Sequence, residues 1–203
     1  FFGWGKDAKD DLKEYRDGYP TQRIKKNANG NYAFFAGKGK MQPENIMIED
    51  LLKWKGNHRQ LERSHTYIQW LFPIREQGLN YQADPLMPHE IELMKNDPVI
   101  IDRVTRGFEM MLDFYGFQLD RERAIITRAP VYEKQYYNLN TSGHNYLRIT
   151  RMLKFLGEMD LECYKVAWLD IFYKEIYVTK ALKPCESSYE RYWIGTVFND
   201  ELR

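Results

Sequence analysis

The sequence predicts an all-α protein, a compact multi-helix domain of about seven to nine helices preceded by an irregular N-terminal arm. Three observations support this prediction. Apolar residues recur at spacings of three and four over most of residues 46–203. Proline and glycine stand where such helices would begin and end. No stretch alternates convincingly between polar and apolar residues, as a half-buried strand would.

Residues 1–45 are predicted to form the arm, and residues 46–203 the helical domain. The arm is poor in aliphatic residues, and much of it is rich in Gly, Asn and Lys. Leu12 and Tyr15 are spaced for one helical turn, which Pro20 would end. We therefore predict a docked arm that contains a long loop.

The helical period begins at Ile46. A short amphipathic helix should end near Gly56, and a second helix should run to the residue before Pro73. The segment from Pro73 to Pro88 reads as a loop. The residues at helical spacing are Ile48, Leu51, Leu52, Trp54, Leu61, His65, Ile68 and Phe72.

Two prolines mark the next helix starts. Pro88 is suited to the first position of a helix, where its missing N–H costs nothing. Asp97 is placed to cap a long helix that begins at Pro98, and Gly116 is a natural stop for it. The apolar stripe of this long helix is Ile101, Val104, Phe108, Met111, Leu112 and Tyr115.

The C-terminal part is predicted to hold four more helices. Residues 117–128 read as an irregular connection with some extended character, and residues 130–138 as a tyrosine-rich helix. One helix should run from His144 to Glu158, and another from near Leu161 through Glu175. A last, capped helix should follow Pro184.

Composition excludes several classes of protein. The formal net charge is +1, so no strong overall field points to nucleic acid or to an acidic partner, although local basic faces remain possible. No apolar run approaches the roughly 18 residues of a membrane span, and no signal peptide is visible. We expect an intracellular protein, cytoplasmic or nuclear. Because the chain begins with Phe1, we also expect a fragment of a longer protein.

Metal and catalytic motifs are missing from the sequence. His58 and His65 are two helical turns apart, too far to hold one ion, so we expect one exposed and one packed imidazole. His89 should be solvated. Cys163 and Cys185 form no metal pattern and should be reduced thiols. Phosphate loops, nucleophile elbows and carboxylate clusters are absent. We therefore predict no cofactor, no catalytic residue and no enzymatic activity.

One helix carries a stripe of cations. Arg148 and Arg151 follow His144 at four and seven residues, which places all three on one face. Guanidinium groups bind carboxylates and phosphates in a bidentate manner, so the stripe could hold such a ligand. Equally, it could pair internally with Glu76 or Asp120. We favour the internal pairing.

The segment "HTYIQWLFPIREQGLN" (65–80) raises the same question. Its aromatic residues are predicted to be core, ended by Pro73. Arg75, Glu76 and Asn80 then form a polar corner directly after them. This corner either locks the helix of Arg148 or receives a ligand, and we favour locking.

The order of these motifs resembles the conserved domain of the opioid growth factor receptor family. The residues that carry the resemblance are "YIQWLFPIRE" (67–76) with Gly78 and Asn80, "FYG" (114–116), "NLN" (138–140) and "HNYLRITRMLKFLGEMDLE" (144–162). The resemblance extends from about Ile48 to Val178. Gln77 and Pro130 depart from the family pattern, in which Pro and Asn respectively are common.

The resemblance implies an intracellular helical domain that binds the pentapeptide Met-enkephalin and restrains growth. Such a peptide would need an apolar pocket, an arginine for its carboxylate and an acidic group for its amine. On this reading the ligand-binding residues are Trp70, Arg75, Glu76, Asn80, His144, Asn145, Arg148 and Arg151. The alternative is a structural or interaction module that joins a larger assembly through residues 1–45, whose "FFGWG" start would be costly to expose.

Overall fold

A computed structural model describes residues 8–203, and the "FFGWG" segment lies outside them. Within the described residues the chain is predominantly helical, with a single two-stranded sheet, which confirms the all-α class. The chain divides into two compact units. We call residues 22–114 the middle unit, and residues 8–21 together with 115–203 the terminal unit. The predicted boundary at residue 45 differs from this division and stays a prediction.

The middle unit is built from six helices. Most of the predicted starts and stops are confirmed here: α3 ends before Gly56, α6 begins at Pro88, and α7 begins at Pro98. The helices are α2 (Gly30–Phe35), α3 (Ile48–Leu52), α4 (His58–Arg63), α5 (Thr66–Leu71), α6 (Pro88–Lys95) and α7 (Pro98–Tyr115), whose last residue belongs to the terminal unit.

Long helix α7 forms as its end signals predict. The Asp97 carboxylate accepts hydrogen bonds from the backbone N–H of Val99 at 2.9 Å and of Ile100 at 3.4 Å, so the predicted cap is present. Gly116 follows the helix at φ +92°, a conformation that favours glycine. Gly107 lets α5 approach closely, because a Cβ there would lie 2.8 Å from Leu71 Cδ1.

The terminal unit surrounds α9 with helices from both ends of the chain. The regular elements are α1 (Ala8–Arg16), β1 (Phe117–Asp120), β2 (Ile125–Arg128), α8 (Glu133–Thr141), α9 (His144–Glu158), α10 (Glu162–Tyr173) and α11 (Glu186–Ser188). Two π-turns (Lys174–Val178 and Tyr189–Trp193) and two 3-10 turns (Lys183–Cys185 and Ile194–Thr196) complete it. Helix α9 has the predicted bounds, and ten of its residues are buried.

Aromatic side chains fill the core of the terminal unit. The Phe172 ring centroid lies 5.3 Å from that of Phe117, 5.1 Å from that of Trp168 and 4.6 Å from that of Trp193. These four rings join β1, α10 and the second π-turn. Aromatic pairs at such distances add to the gain from burying their surface.

Several predicted elements differ from the structure. The helix expected to run unbroken to Pro73 is two helices, because the chain is non-helical at Ser64 and His65 between α4 and α5. Of the two imidazoles expected to be one exposed and one packed, His65 is exposed and His58 is half-buried. Segment 117–128, expected to be an irregular connection with some extended character, is an antiparallel hairpin with Phe117 opposite Arg128. The last predicted helix is a series of short turns.

Two helices lie within the stretch predicted as an irregular arm. Helix α1 is nine residues long rather than one turn, and it buries Asp11, Leu12 and Tyr15. Helix α2 buries Asn31, Phe34 and Phe35. Both helices therefore contribute side chains to the interior.

Candidate functional site: a polar corner and an arginine helix

The polar corner lies in the middle unit, and two of its side chains share one acceptor. The indole Nε1 of Trp70 donates to the carbonyl oxygen of Gln42 at 3.0 Å, and Asn80 Nδ2 donates to the same oxygen at 3.1 Å. Trp70 is only 6% exposed and meets the Phe34 ring edge-on at 5.5 Å. The prediction that Trp70 belongs to the core is thus confirmed, and its N–H is satisfied as a buried indole requires.

The turn after Pro73 is held by the side chain of Gln69. Its Oε1 accepts a hydrogen bond from the backbone N–H of Asn80 at 2.8 Å. Gly78 makes this approach possible, since a Cβ there would lie 1.8 Å from Gln69 Nε2. Asn80 Oδ1 in turn accepts from the backbone N–H of Gln82 at 3.1 Å. Glycine and asparagine in this motif therefore fix the backbone of the corner.

Arg75 and Glu76 occupy the rim of the corner, and both are half-buried. Arg75 Nε donates to Gln22 Oε1 at 2.8 Å. The amide nitrogen of Gln22 then donates to the carbonyl oxygen of Leu86 at 2.9 Å. This chain of contacts ties the segment before α2 to the loop before α6.

The cation stripe of α9 lies in the terminal unit, and its members differ in exposure. His144 is exposed, whereas Arg148 and Arg151 are only 6% and 9% exposed. Asn145 is fully buried, and its Oδ1 accepts from Tyr115 Oη at 3.2 Å and from Arg148 Nη1 at 3.5 Å. The stripe is therefore largely an interior feature of the helix.

The eight predicted ligand-binding residues thus fall into two sets of four. Trp70, Arg75, Glu76 and Asn80 belong to the middle unit. The other set, His144, Asn145, Arg148 and Arg151, belongs to the terminal unit. Within the middle unit, Trp70 and Asn80 meet at one carbonyl. That all eight residues form one ligand site stays a prediction.

A buried ion pair that sequence reasoning missed anchors α1. Lys154 Nζ lies 2.8 Å from Asp11 Oδ2, and the two side chains are only 2% and 4% exposed. Beside this pair, Tyr15 Oη donates to the carbonyl oxygen of Lys154 at 2.9 Å. The available signal was an Asp and a Tyr four residues apart on one face of α1.

Lys165 is a second buried amine in the same unit. Its Nζ donates to Tyr15 Oη at 3.0 Å and to the carbonyl oxygen of Thr196 at 2.7 Å, and it lies 2.9 Å from Glu162 Oε2. Burial lowers the pKa of Lys165 to about 8, and the Glu162 carboxylate opposes that shift. The amine therefore joins α1, α10 and the segment near the C-terminus.

The hairpin is tied to the first π-turn by a bidentate ion pair. Arg128 Nε and Nη2 lie 2.5 and 3.0 Å from the two carboxylate oxygens of Glu175, which is 1% exposed. The Tyr132 ring centroid lies 4.4 Å from the guanidinium carbon. Burial alone would raise the pKa of Glu175, but the hydrogen bonds from Arg128 and its neighbours lower it overall. Hydrogen bonding to Glu175 likewise raises the pKa of Arg128.

A buried carboxylate also organises the middle unit. Glu90 is fully buried, and its oxygens accept from the backbone N–H of Tyr32 at 2.9 Å and of Met87 at 3.1 Å. Asn31 Nδ2 lies 3.3 Å from the same group. One side chain therefore satisfies donors at the starts of both α2 and α6.

Two of the histidines, His58 and His89, make structural contacts. His58, half-buried, lies with its Nε2 2.9 Å from Asp113 Oδ2. His89, expected to be solvated, is half-buried and donates to the carbonyl oxygen of Ala28 at 2.6 Å. Cys163 and Cys185 are free thiols, and burial raises the pKa of Cys185 to about 12. Among residues 8–203, no group of three His, Cys, Asp or Glu side chains is placed to hold a metal ion.

The structure therefore defines a class of protein. It is a helical domain in which the motif of residues 67–80 forms a polar corner held by internal hydrogen bonds. No helix in the described part of the chain is long and apolar enough to cross a membrane. This chain belongs to the opioid growth factor receptor family, because the model of the opioid growth factor receptor conserved region matches residues 24–203. The resemblance noted in the sequence is thereby confirmed.

Curated relatives support the assignment. The chain is 41% identical over 192 residues to opioid growth factor receptor-like protein 1 of Xenopus tropicalis, covering 92% of this chain and 37% of that protein. It is 40% identical over 195 residues to the opioid growth factor receptor of Mus musculus, covering 94% and 31% respectively. The chain thus spans about a third of the length of these relatives. No solved structure matches the chain.

Proposed function

We propose that this chain forms a non-enzymatic receptor-type domain that binds a short opioid peptide of the Met-enkephalin type. The observation that carries the proposal is the close similarity, over more than nine tenths of the chain, to proteins named opioid growth factor receptor. The proposal includes an intracellular location, cytoplasmic or nuclear, and a role in growth regulation.

The half-buried rim of the polar corner supplies chemistry that suits such a peptide. Arg75 offers a guanidinium for the peptide carboxylate, and Glu76 offers a carboxylate for its amine. Both side chains are partly accessible, whereas Arg148 and Arg151 are almost fully buried. In this proposal Arg75 and Glu76 therefore contact the ligand, and the two arginines of α9 support the fold.

Calorimetric titration tests the proposal directly. Met-enkephalin should give saturable heat at peptide concentrations on the order of tens of micromolar. Amidating the C-terminus of the peptide should weaken binding to the native protein, because it removes the contact between the peptide carboxylate and Arg75. It should not weaken binding to Arg75→Ala, in which that contact has already been lost. Exposed Arg59 provides a matched control: Arg59→Ala should bind like the native chain. No saturable heat from protein shown to be helical by circular dichroism would overturn the proposal.

A second candidate function is a structural or interaction module within a larger assembly. The observation that favours it is the internal use of the motif, since Trp70 and Asn80 both donate to the carbonyl of Gln42. In this case the motif stabilises the fold of the middle unit and does not bind a ligand. Removing residues 1–45 is an unsuitable test, because α1 and α2 contribute buried residues. Size-exclusion chromatography with light scattering is suitable: a purely monomeric mass in native extracts would disfavour permanent assembly.

A further inference from the structure

One segment of the middle unit carries basic residues without any acidic residue among them. Residues 22–43, which we call the basic segment, contain five cations and no acidic residue. The whole chain has a formal net charge of only +1, with 30 basic and 29 acidic residues, so its remainder carries 25 basic against 29 acidic residues. The cations are Arg23, Lys25, Lys26, Lys38 and Lys40, and all five are exposed.

Helix α2 divides these cations into two groups. Arg23, Lys25 and Lys26 precede the helix, and Lys38 and Lys40 follow it. A helix of six residues is about 9 Å long, so the two groups flank a short stretch of surface. The backbone of a nucleic-acid strand rises 3.4 Å per nucleotide, and about three nucleotides cover that length.

The end of α2 directs one of the cations over an aromatic ring. Gly37 has φ +76°, and the backbone N–H of Lys38 donates to the carbonyl of Ala33 at 2.9 Å, which reverses the chain. Lys38 Nζ then lies 5.7 Å from the ring centroid of Tyr32, which is half-buried. Proteins that bind single-stranded nucleic acids combine an aromatic ring with exposed cations. The cations contact successive phosphates of the backbone, and a base stacks on the ring.

Nearby carboxylates neutralise little of this charge. Asp84 lies 3.4 Å from Lys25, but both side chains are more than 40% exposed, and such a surface pair is weak. The carboxylate of Glu90 is fully buried and accepts from the backbone of Tyr32. About four cations therefore remain for a polyanion.

We propose that the basic segment is a binding site for single-stranded nucleic acid. Exposed amides of Asn27 and Asn29 border the site and can donate to base edges or sugar hydroxyls. Among anionic partners, a strand of nucleic acid, rather than a membrane surface or an acidic peptide, fits the linear spread of cations and the ring. Binding to a membrane surface would need several exposed apolar residues. Within the basic segment, Ile24 is the one large apolar side chain that is highly exposed, so a membrane is a poorer fit.

Fluorescence anisotropy with a labelled oligothymidylate of about 20 nucleotides tests the site. Binding should be saturable at about 50 mM salt and weaken toward 200 mM, with a slope of log K on log salt of about −3 for four contacts. Changing Lys38 and Lys40 together to Ala should reduce the slope by about 1.4. Tyr32→Leu should weaken binding roughly ten-fold without changing the slope.

A matched control separates a site from general basicity. Lys53 and Lys55 have the same spacing as Lys38 and Lys40, lie in the same unit and are exposed, so changing both to Ala removes the same charge. This control should retain the native affinity and slope. No binding at low salt, or equal losses in the two double variants, would overturn the proposal. So would binding of phosphatidylserine vesicles or polyglutamate without binding of the oligonucleotide.

Discussion

Replacing Lys154 with Met should strongly destabilise the protein, because it leaves Asp11 charged and buried. The two groups are 2.8 Å apart, and their attraction is about 6 kcal/mol at an effective dielectric constant of about 20. Removing both ions from water costs several kcal/mol for each, so the pair as a whole contributes little. The single variant loses the attraction but keeps the burial cost of one ion. We expect a loss of about 3–5 kcal/mol in the free energy of unfolding.

Urea unfolding followed by far-UV circular dichroism at pH 7 measures this loss. The double variant Asp11→Leu with Lys154→Met should recover most of it, since neither charge of the pair remains. The surface pair Lys13–Asp17, with side chains 69% and 48% exposed, provides the control. Lys13→Met should cost less than about 0.5 kcal/mol. The reasoning fails if Lys154→Met costs no more than this control, or if the double variant is as unstable as the sum of its single changes.

Three further predictions follow from buried groups. The pKa of Lys165 is lowered to about 8 from 10.5, so over that interval the unfolded chain holds a proton that the folded chain has released. Stability measured against Lys165→Met should therefore rise by up to about 1.4 kcal/mol per pH unit between pH 8 and 10.5, and a flat difference in urea unfolding would contradict this. Glu90→Leu leaves the backbone N–H groups of Tyr32 and Met87 unpaired and should cost about 2–4 kcal/mol in the free energy of unfolding, whereas Glu90→Gln, which keeps an acceptor, should cost less than half as much in the same assay. In Gly157→Ala the new Cβ would lie 2.2 Å from Tyr15 Oη, so the melting temperature should fall by several degrees, while Gly143→Ala, with no atom nearer than 3.9 Å, should change it little.

Helices with strong end signals could be predicted from the sequence, whereas residues 117–128 showed only some extended character and their pairing into a hairpin could not be predicted. Asp97, Pro98 and Gly116 define the ends of α7 by local backbone chemistry, which operates in the same way in any fold. The hairpin strands are only four residues each, too short to show a period of two, and they form because β2 packs against α10. The break between α4 and α5 at Ser64 and His65 could not be predicted either, since the helical spacing of apolar residues continues through it.

The candidate site shows the same limit. The motif around Trp70 and Asn80 could be recognised from its residues, but their common partner is the Gln42 carbonyl, 28 and 38 residues away. The sequence also gives no indication of which polar side chains are buried. Lys154 and Lys165 are ordinary helix residues in the sequence, and their partners in α1 lie 143 and 150 residues earlier.

The sequence by itself determined the helical class, the start of α6, the bounds of α7 and α9, and membership of the opioid growth factor receptor family. These properties depend on apolar periodicity, on proline and capping residues, and on a distinctive run of side chains, all of which are local. Only the tertiary structure decided that Arg148 and Arg151 are buried, that α1 is anchored by Lys154, and that the motif closes on Gln42. The reason is physical: a buried charge or hydrogen-bonding group is stable only beside its partner, and folding alone brings partners distant in the chain together.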